Sequence, residues 1–228
     1  MKKYDVIIFD LDGTLVNSIY AIQKSVNETL KAYGLGPVSV EDTKRYVGDG
    51  YKKLMERSLI ACGDKELSHY EDSLSRYQQI FKECCLYRVE AYEGIKELLS
   101  YLKEQGIRSA VLSNKPHERT VDNVDFVFEK GTFDLVWGER EAFGIKRKPA
   151  PDGVMAILKE FSLTPEECLY FGDTNTDMET GKNAGVDTVG VTWGFRSRSE
   201  LAAYSPKLIV DCPSQIMDFL KDVNCSEG

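Results

Sequence analysis

The chain has 228 residues, 42% of them hydrophobic, and a formal net charge of −8. That length suits one large domain or one domain carrying an insertion, with enough apolar material for a sizeable core. The acidic balance argues against a nucleic-acid footprint, which needs a basic face; no apolar run approaches the roughly 20 residues that span a bilayer, and Tyr4–Phe9 is too short to be the core of a signal peptide.

Tyr4–Phe9 reads as a buried strand, because Val6, Ile7, Ile8 and Phe9 form an unbroken apolar run. It leads straight into Asp10-Leu11-Asp12-Gly13-Thr14. Burial opposes charge, so two carboxylates at the end of a core strand call for a chemical reason. From about Val16 to Tyr87 the periodicity is helical, with no convincing strand. Ile19, Ile22, Val26 and Leu30 repeat before Tyr33-Gly34; Tyr51, Leu54, Met55 and Leu59 repeat before Cys62-Gly63; Leu67, Tyr70, Leu74, Tyr77 and Phe81 follow.

Downstream, strands are predicted at Arg108–Leu112, Leu135–Trp137, Leu169–Phe171, Thr188–Val191 and Leu208–Val210. They alternate with helical faces such as Ile95, Leu98, Leu99 and Leu102, or Val154, Ile157, Leu158 and Phe161. The alternation implies an α/β fold, a Rossmann-like doubly wound parallel sheet covered on both faces. Residues 1–15 and 88–228 are expected to form this core, and residues 16–87 an all-helical cap inserted after the first strand. Ligands of such sheets bind beyond the C-terminal strand ends, where the insertion would act as a lid.

Six cysteines, Cys62, Cys84, Cys85, Cys168, Cys212 and Cys225, include no C-x-x-C pair. Reduced thiols in a cytoplasmic protein are the expectation. The two histidines, His69 and His117, read as surface residues, which leaves acid–base work to carboxylates.

Four polar sets lie just after predicted strands or at helix starts: Asp10, Asp12 and Thr14; Ser113-Asn114; Lys148-Pro149-Ala150-Pro151; and Gly172-Asp173-Thr174-Asn175-Thr176-Asp177. Each alone has a plain reading as a turn, cap or helix start. Together they would bring Asp10, Asp12, Asp173 and Asp177 to one sheet edge. Like charges about 4 Å apart repel by about 4 kcal/mol at an effective dielectric near 20, so the cluster calls for a cation. The oxygen-only donor set suits Mg²⁺ rather than zinc. Lys148 could share in screening a phosphate dianion, and Ser113 with neighbouring backbone N–H groups could hold phosphoryl oxygens.

These residues resemble the haloacid dehalogenase superfamily over almost the whole chain. Asp10-Leu11-Asp12-Gly13-Thr14-Leu15 is similar to its first motif, Ser113-Asn114 to its second, Lys148 to its third, and Gly172-Asp173 with Asp177 to its fourth. The resemblance implies that Asp10 is a nucleophile forming an aspartyl-phosphate and that Asp12 is the general acid and then base. It implies Mg²⁺ held by Asp10, the Asp12 backbone carbonyl and Asp173 with support from Asp177. Ser113, Asn114 and Lys148 would grip the phosphate, with Gly13 and Thr14 as supporting residues.

Asp12 favours phosphoryl transfer, since dehalogenases of the superfamily lack that second aspartate. Three segments are similar to phosphoglycolate phosphatases: Val47-Gly48-Asp49-Gly50 with Leu54-Met55-Glu56-Arg57; Gly94-Ile95 through Ser113-Asn114-Lys115-Pro116; and Thr176-Asp177-Met178 through Thr192-Trp193-Gly194-Phe195-Arg196. Asn17 stands where many relatives carry aspartate, and Glu141-Ala142-Phe143-Gly144-Ile145 departs from the usual approach to the third motif. The expected activity is a phosphatase of a small phosphorylated metabolite, first 2-phosphoglycolate. Alternatives are pyrophosphate, a nucleotide, a sugar phosphate, a sugar-phosphate mutase, or a phospho-ligand sensor without turnover. Arg57 and Lys52 read as solvated helix charges, with pairing to a substrate carboxylate the alternative, and Trp193 and Phe195 as packing residues able to line the mouth between insertion and core. No nucleic-acid or membrane partner is expected, and the protein should be a monomer or small homo-oligomer.

Overall fold

The computed structural model describes residues 4–225. Strand β1 (Val6–Phe9) is buried along its whole length and lies inside a parallel sheet. Among the described residues the sheet order is β5-β4-β1-β6-β7-β8, with β4 at Arg108–Pro116, β5 at Leu135–Glu139, β6 at Cys168–Gly172, β7 at Asp187–Val191 and β8 at Leu208–Val210. Phe9 pairs with Val111 of β4 on one side and with Phe171 of β6 on the other, so Asp10, the residues after Leu112 and those after Gly172 emerge at one edge.

Successive side chains of a strand point to opposite faces. Ile7 and Phe9 accordingly join the cluster covered by Ile95, Leu98 and Leu102 of α5 (Ile95–Glu104), Val124 of α6 (His117–Val127) and Ile216 and Leu220 of α10 (Pro213–Cys225). Val6 and Ile8 face Val154, Ile157 and Leu158 of α7 (Asp152–Phe161) and Ala184 of α8 (Asn175–Ala184). Each such buried side chain contributes about 1.5–3 kcal/mol of transfer free energy. The remaining core helix, α9 (Arg198–Ala202), seals Leu201 against the sheet.

Between β1 and the rest of the sheet the chain forms α1 (Ile19–Lys31), α2 (Val40–Tyr46), α3 (Tyr51–Ala61) and α4 (Tyr70–Cys84). Their apolar faces build a separate cluster around Val26, Leu30, Met55, Leu59, Tyr77 and Phe81. Two features of this stretch differ from the sequence expectation. Val16–Asn17 (β2) and Glu90–Ala91 (β3) pair antiparallel, a two-residue ribbon too short to show a period. Helix α2 is mostly polar and starts on a cap, where the Asp42 N–H donates to Ser39 Oγ at 3.0 Å.

Strand ends also shift. β4 runs on through Ser113-Asn114-Lys115, which are buried despite their polarity, with an irregularity in its pairing to β5 before Pro116. Cys62, Cys84, Cys85, Cys168 and Cys212 are free thiols, and the Cys225 side chain lies outside those described. No helix among the described residues is long and apolar enough to cross a membrane.

Candidate active site

Asp10 leaves the end of β1 with its N–H still donating to the Phe171 carbonyl at 2.9 Å, which fixes the loop to the sheet edge. Its carboxylate, that of Asp173 after β6 and that of Asp177 in the first turn of α8 are all buried. These three offer ligand oxygens within 4.8 Å of one another. Burial pushes Asp10 up to about 7, with Lys148 opposing and Asp177 adding to the rise. Burial, then Asp10 and Asp177, hold Asp173 well above the carboxylate range. A site that resists its own negative charge in this way, built only of oxygens, fits a hard divalent cation.

Lys148 answers part of that charge. Its Nζ lies 2.6 Å from Asp10 Oδ1 and 2.7 Å from Asp177 Oδ1. Burial disfavours its charged form, but Asp10 and Asp177 outweigh this and hold the ammonium well above the usual lysine value. Asp177 Oδ1 also accepts from the Tyr170 hydroxyl at 3.0 Å, and Oδ2 accepts from Thr174 Oγ1 at 2.7 Å and the Thr174 N–H at 3.1 Å. One carboxylate thus caps α8 and anchors the lysine.

Asp173 is steered by shape as much as by bonds. Thr14 Oγ1 donates to its Oδ1 at 3.2 Å and the Phe195 N–H to its Oδ2 at 2.7 Å. Two glycines flank it. A Cβ on Gly13, whose φ is +93°, would lie 2.2 Å from Asp173 Oδ2, and one on Gly194 would lie 2.3 Å from Asp173 Cβ.

Asp12 does not join the three clustered carboxylates. Its Oδ1 accepts from Lys115 Nζ at 2.7 Å and from the Ser18 hydroxyl at the start of α1. The expected phosphate residues are also placed. Ser113 is buried in the cleft wall, while the Asn114 side chain is committed to protein groups: Oδ1 accepts the Lys148 N–H at 2.9 Å, and Nδ2 donates to the carbonyls of Lys148 at 3.0 Å and Gly48 at 3.3 Å. Asp10, Asp12, Ser113, Asn114, Lys148 and Asp177 line one cleft, roofed from the insertion by Val47, Gly48, Tyr51, Leu54, Tyr77 and Phe81.

Several sequence expectations need correction. Arg57 is not a free helix charge: it bonds the Tyr46 carbonyl at 2.8 Å and Asp49 Oδ2 at 2.5 Å, bracing the loop that roofs the cleft. His117 and His69 are half-buried rather than plain surface residues. His117 Nδ1 accepts the Gly138 N–H at 3.2 Å, and burial, with Arg140 adding to it, lowers its pKa. His69 stacks on Tyr33 with ring centroids 4.6 Å apart. Trp193 packs with its Nε1 donating to the Thr14 carbonyl at 3.0 Å, whereas Phe195 lines the cleft. Lys115, given no role by the sequence beyond its place in the segment Ser113-Asn114-Lys115-Pro116, is buried beside Asp12. Arg196 had no assigned part; its guanidinium grips the carbonyls of Lys44 at 2.5 Å and Val47 at 2.9 Å.

A family model described as haloacid dehalogenase-like hydrolase matches residues 7–191. The chain is 30% identical to a phosphoglycolate phosphatase of Colwellia psychrerythraea, over 97% of this chain and 99% of that protein. It is 29% identical to the pyrophosphatase PpaX of Bacillus cereus, over 98% of this chain and the full length of that one. A crystal structure of a predicted phosphoglycolate phosphatase from Haemophilus somnus superposes with a TM-score of 0.87 at 28% identity, covering 96% of this chain and 99% of that chain. With its sheet order, its acidic strand ends and its inserted helices, the chain belongs to the haloacid dehalogenase-like hydrolase family.

Proposed function

We propose that this hydrolase is a Mg²⁺-dependent phosphatase of small phosphorylated metabolites, with 2-phosphoglycolate its first substrate, and that it works through an aspartyl-phosphate on Asp10. The observation that carries this reading is the pairing of roles at the strand end. Asp10 sits among buried carboxylates and Lys148, and Asp12, two residues on, faces the same cleft from a separate pair with Lys115.

Asp10 and Asp173, with the Asp12 backbone carbonyl, would hold the cation, and Asp177 would support them. The bound ion would supply screening between an anionic nucleophile and a phosphate dianion. The chain's own groups do the rest. Lys148 and Ser113, with backbone N–H groups neighbouring Ser113, hold the phosphoryl oxygens. An Asp10 oxygen bonds to phosphorus as the ester P–O bond breaks, and Asp12 gives its proton to the departing oxygen. Asp12 then takes a proton from water as that water attacks phosphorus, which releases inorganic phosphate and frees Asp10.

Helices α1–α4 act as the cap domain, excluding water and selecting the leaving group. Pyrophosphate is the second substrate reading, favoured by the likeness to the Bacillus pyrophosphatase over the full length of that protein. The free thiols support a cytoplasmic setting.

The deciding experiment ranks kcat/KM for 2-phosphoglycolate, pyrophosphate, nucleotides and sugar phosphates with Mg²⁺ and with EDTA. EDTA-sensitive release of phosphate, highest for 2-phosphoglycolate, is expected. Tight ligand binding without turnover would make the protein a sensor. Return of phosphate to a sugar would make it a mutase.

A further inference from the structure

Lys115 sits in a place that none of the four phosphoryl-transfer motifs accounts for. Its ammonium is buried, with only 4% of the side chain exposed. Three partners surround it: Asp12 Oδ1 at 2.7 Å, Asn123 Oδ1 at 2.5 Å and the face of Phe81, 5.2 Å from the ring centroid. Asn123 is itself fully buried, and its Nδ2 donates to the Cys85 carbonyl at 2.9 Å, where the chain returns from α4 toward the core. The lysine cannot drift, because its own anchor is hydrogen-bonded at both ends.

The consequence falls on Asp12. Ser18 and Lys115 both take Oδ1, and among the described residues Oδ2 has no hydrogen-bond donor. One oxygen is fixed and the other is left to the cleft that Asp12 lines. Any rotamer that turned Asp12 away would strand a buried ammonium without the one carboxylate that pairs with it among the described residues, so the pair resists turning. Among the carboxylates of the described residues, Lys148 pairs with Asp10 and Asp177, whereas Lys115 pairs with Asp12.

We propose that Lys115, anchored by Asn123, is the positioning residue that aims Asp12 Oδ2 at the leaving-group oxygen. The proposal rests on the phosphatase reading above. In the step concerned, the Asp10–phosphorus bond forms, the ester P–O bond breaks, and the proton on Asp12 passes to the departing oxygen. A leaving group that departs as a stable anion needs no such proton; an alkoxide does.

The test compares ethyl phosphate with 4-nitrophenyl phosphate in the Mg²⁺-loaded full-length protein and in Lys115→Met. The ratio kcat/KM reports events through transfer of the phosphoryl group and so isolates the acid role of Asp12. The ethyl-to-nitrophenyl ratio of kcat/KM is expected to fall about tenfold or more, part of the roughly 10²–10⁴-fold that general acid catalysis supplies. A variant that loses both substrates equally overturns the proposal, since a merely structural or phosphate-binding lysine gives that result. Should Lys115→Met fail to fold by circular dichroism, Asn123→Ser takes its place. A smaller drop in the same ratio supports the proposal and an unchanged ratio overturns it. Wild-type protein that releases phosphate from neither these esters nor 2-phosphoglycolate or pyrophosphate overturns the phosphatase reading, and this assignment falls with it.

Discussion

Thr176 Oγ1, in the first turn of α8, donates to Asp49 Oδ1 at 2.7 Å across 127 residues of sequence. The bond joins the helix start that carries Asp177 to the loop roofing the cleft. The other oxygen of Asp49 takes Arg57, so the loop is braced from within and tied down from below. Burial works to raise the Asp49 pKa, but Thr176 and Arg57 outweigh it and hold the carboxyl below its ordinary value.

Asp49→Ala should therefore loosen the roof without touching the reacting groups. A hydrogen bond to a charged group is worth about 1.5–3 kcal/mol, which bounds the shift toward an open cap at roughly 10- to 160-fold. A rise in KM of about three- to tenfold, with kcat changed less, is the expected result in steady-state assays. An unaltered KM would mean that the Arg196 grip on α2 is enough by itself.

Replacing Asp12 by alanine should cut kcat by about 10²–10⁴-fold, the usual share of general acid–base catalysis. Rapid-quench measurement should find both formation and breakdown of the phosphoenzyme slowed, because one carboxyl serves both steps. If only substrate affinity moved, Asp12 would not be the proton carrier.

The metal-free protein should lose stability as pH rises. The Asp10 carboxyl goes from an ordinary 3.8 to about 7 in the folded state, with burial as the main cause. The folded chain thus binds this proton more tightly than the unfolded chain. Its contribution is full below about pH 4 and is lost as pH climbs through about 7. Melting of EDTA-treated protein at about pH 5 and about pH 8 checks this, with Asp10→Asn as the comparison that isolates Asp10 from His117. The lowered pKa of His117 acts in the opposite sense. Asp10→Asn should flatten the decline, and added Mg²⁺ should raise Tm more at the higher pH, since a cation there takes the proton's place. An identical pH response in both proteins would count against the burial argument.

Gly194→Ala probes the shape of the acidic cluster. The added methyl would meet Asp173 Cβ at 2.3 Å, and no flexible tip is there to yield. Mg²⁺ affinity, read from activation curves and from the Mg²⁺ dependence of Tm, should fall about 10- to 100-fold. Gly36→Ala is the control, because nothing lies within 4 Å of a Cβ there. Equal effects from both would remove Gly194 from the account of how Asp173 is steered.

The sheet was legible because strand β1 is apolar without interruption and its register places Asp10, Ser113 and Asp173 at ends that must share an edge. What the sequence hid were partners joined only by folding. Lys115 and Asp12 are 103 residues apart, and a lysine before proline has the local look of an exposed helix start. Asn123 sits mid-helix, where asparagine has no local signature of use. Arg57 looked solvated because charges on a helix usually are, and its partner Asp49 lies in a loop without periodicity. The resemblance places Asn114 among the phosphate-holding residues, without saying which of its atoms takes part. Its side-chain amide bonds the backbone of Lys148 and of Gly48, partners that no spacing rule could have indicated.

The ribbon in which Val16 faces Ala91 and Asn17 faces Glu90 brings the outgoing and returning chain side by side. Everything between hangs from that single pair of short strands and is organised around its own apolar centre. A different bundle grafted onto the same two-strand stem would meet an unchanged set of strand ends below. Substrate choice could thus be exchanged wholesale while the reacting carboxylates stay where they are, given replacements for Gly48, Asp49, the carbonyls that Arg196 holds, and the Phe81 and Cys85 contacts to Lys115 and Asn123.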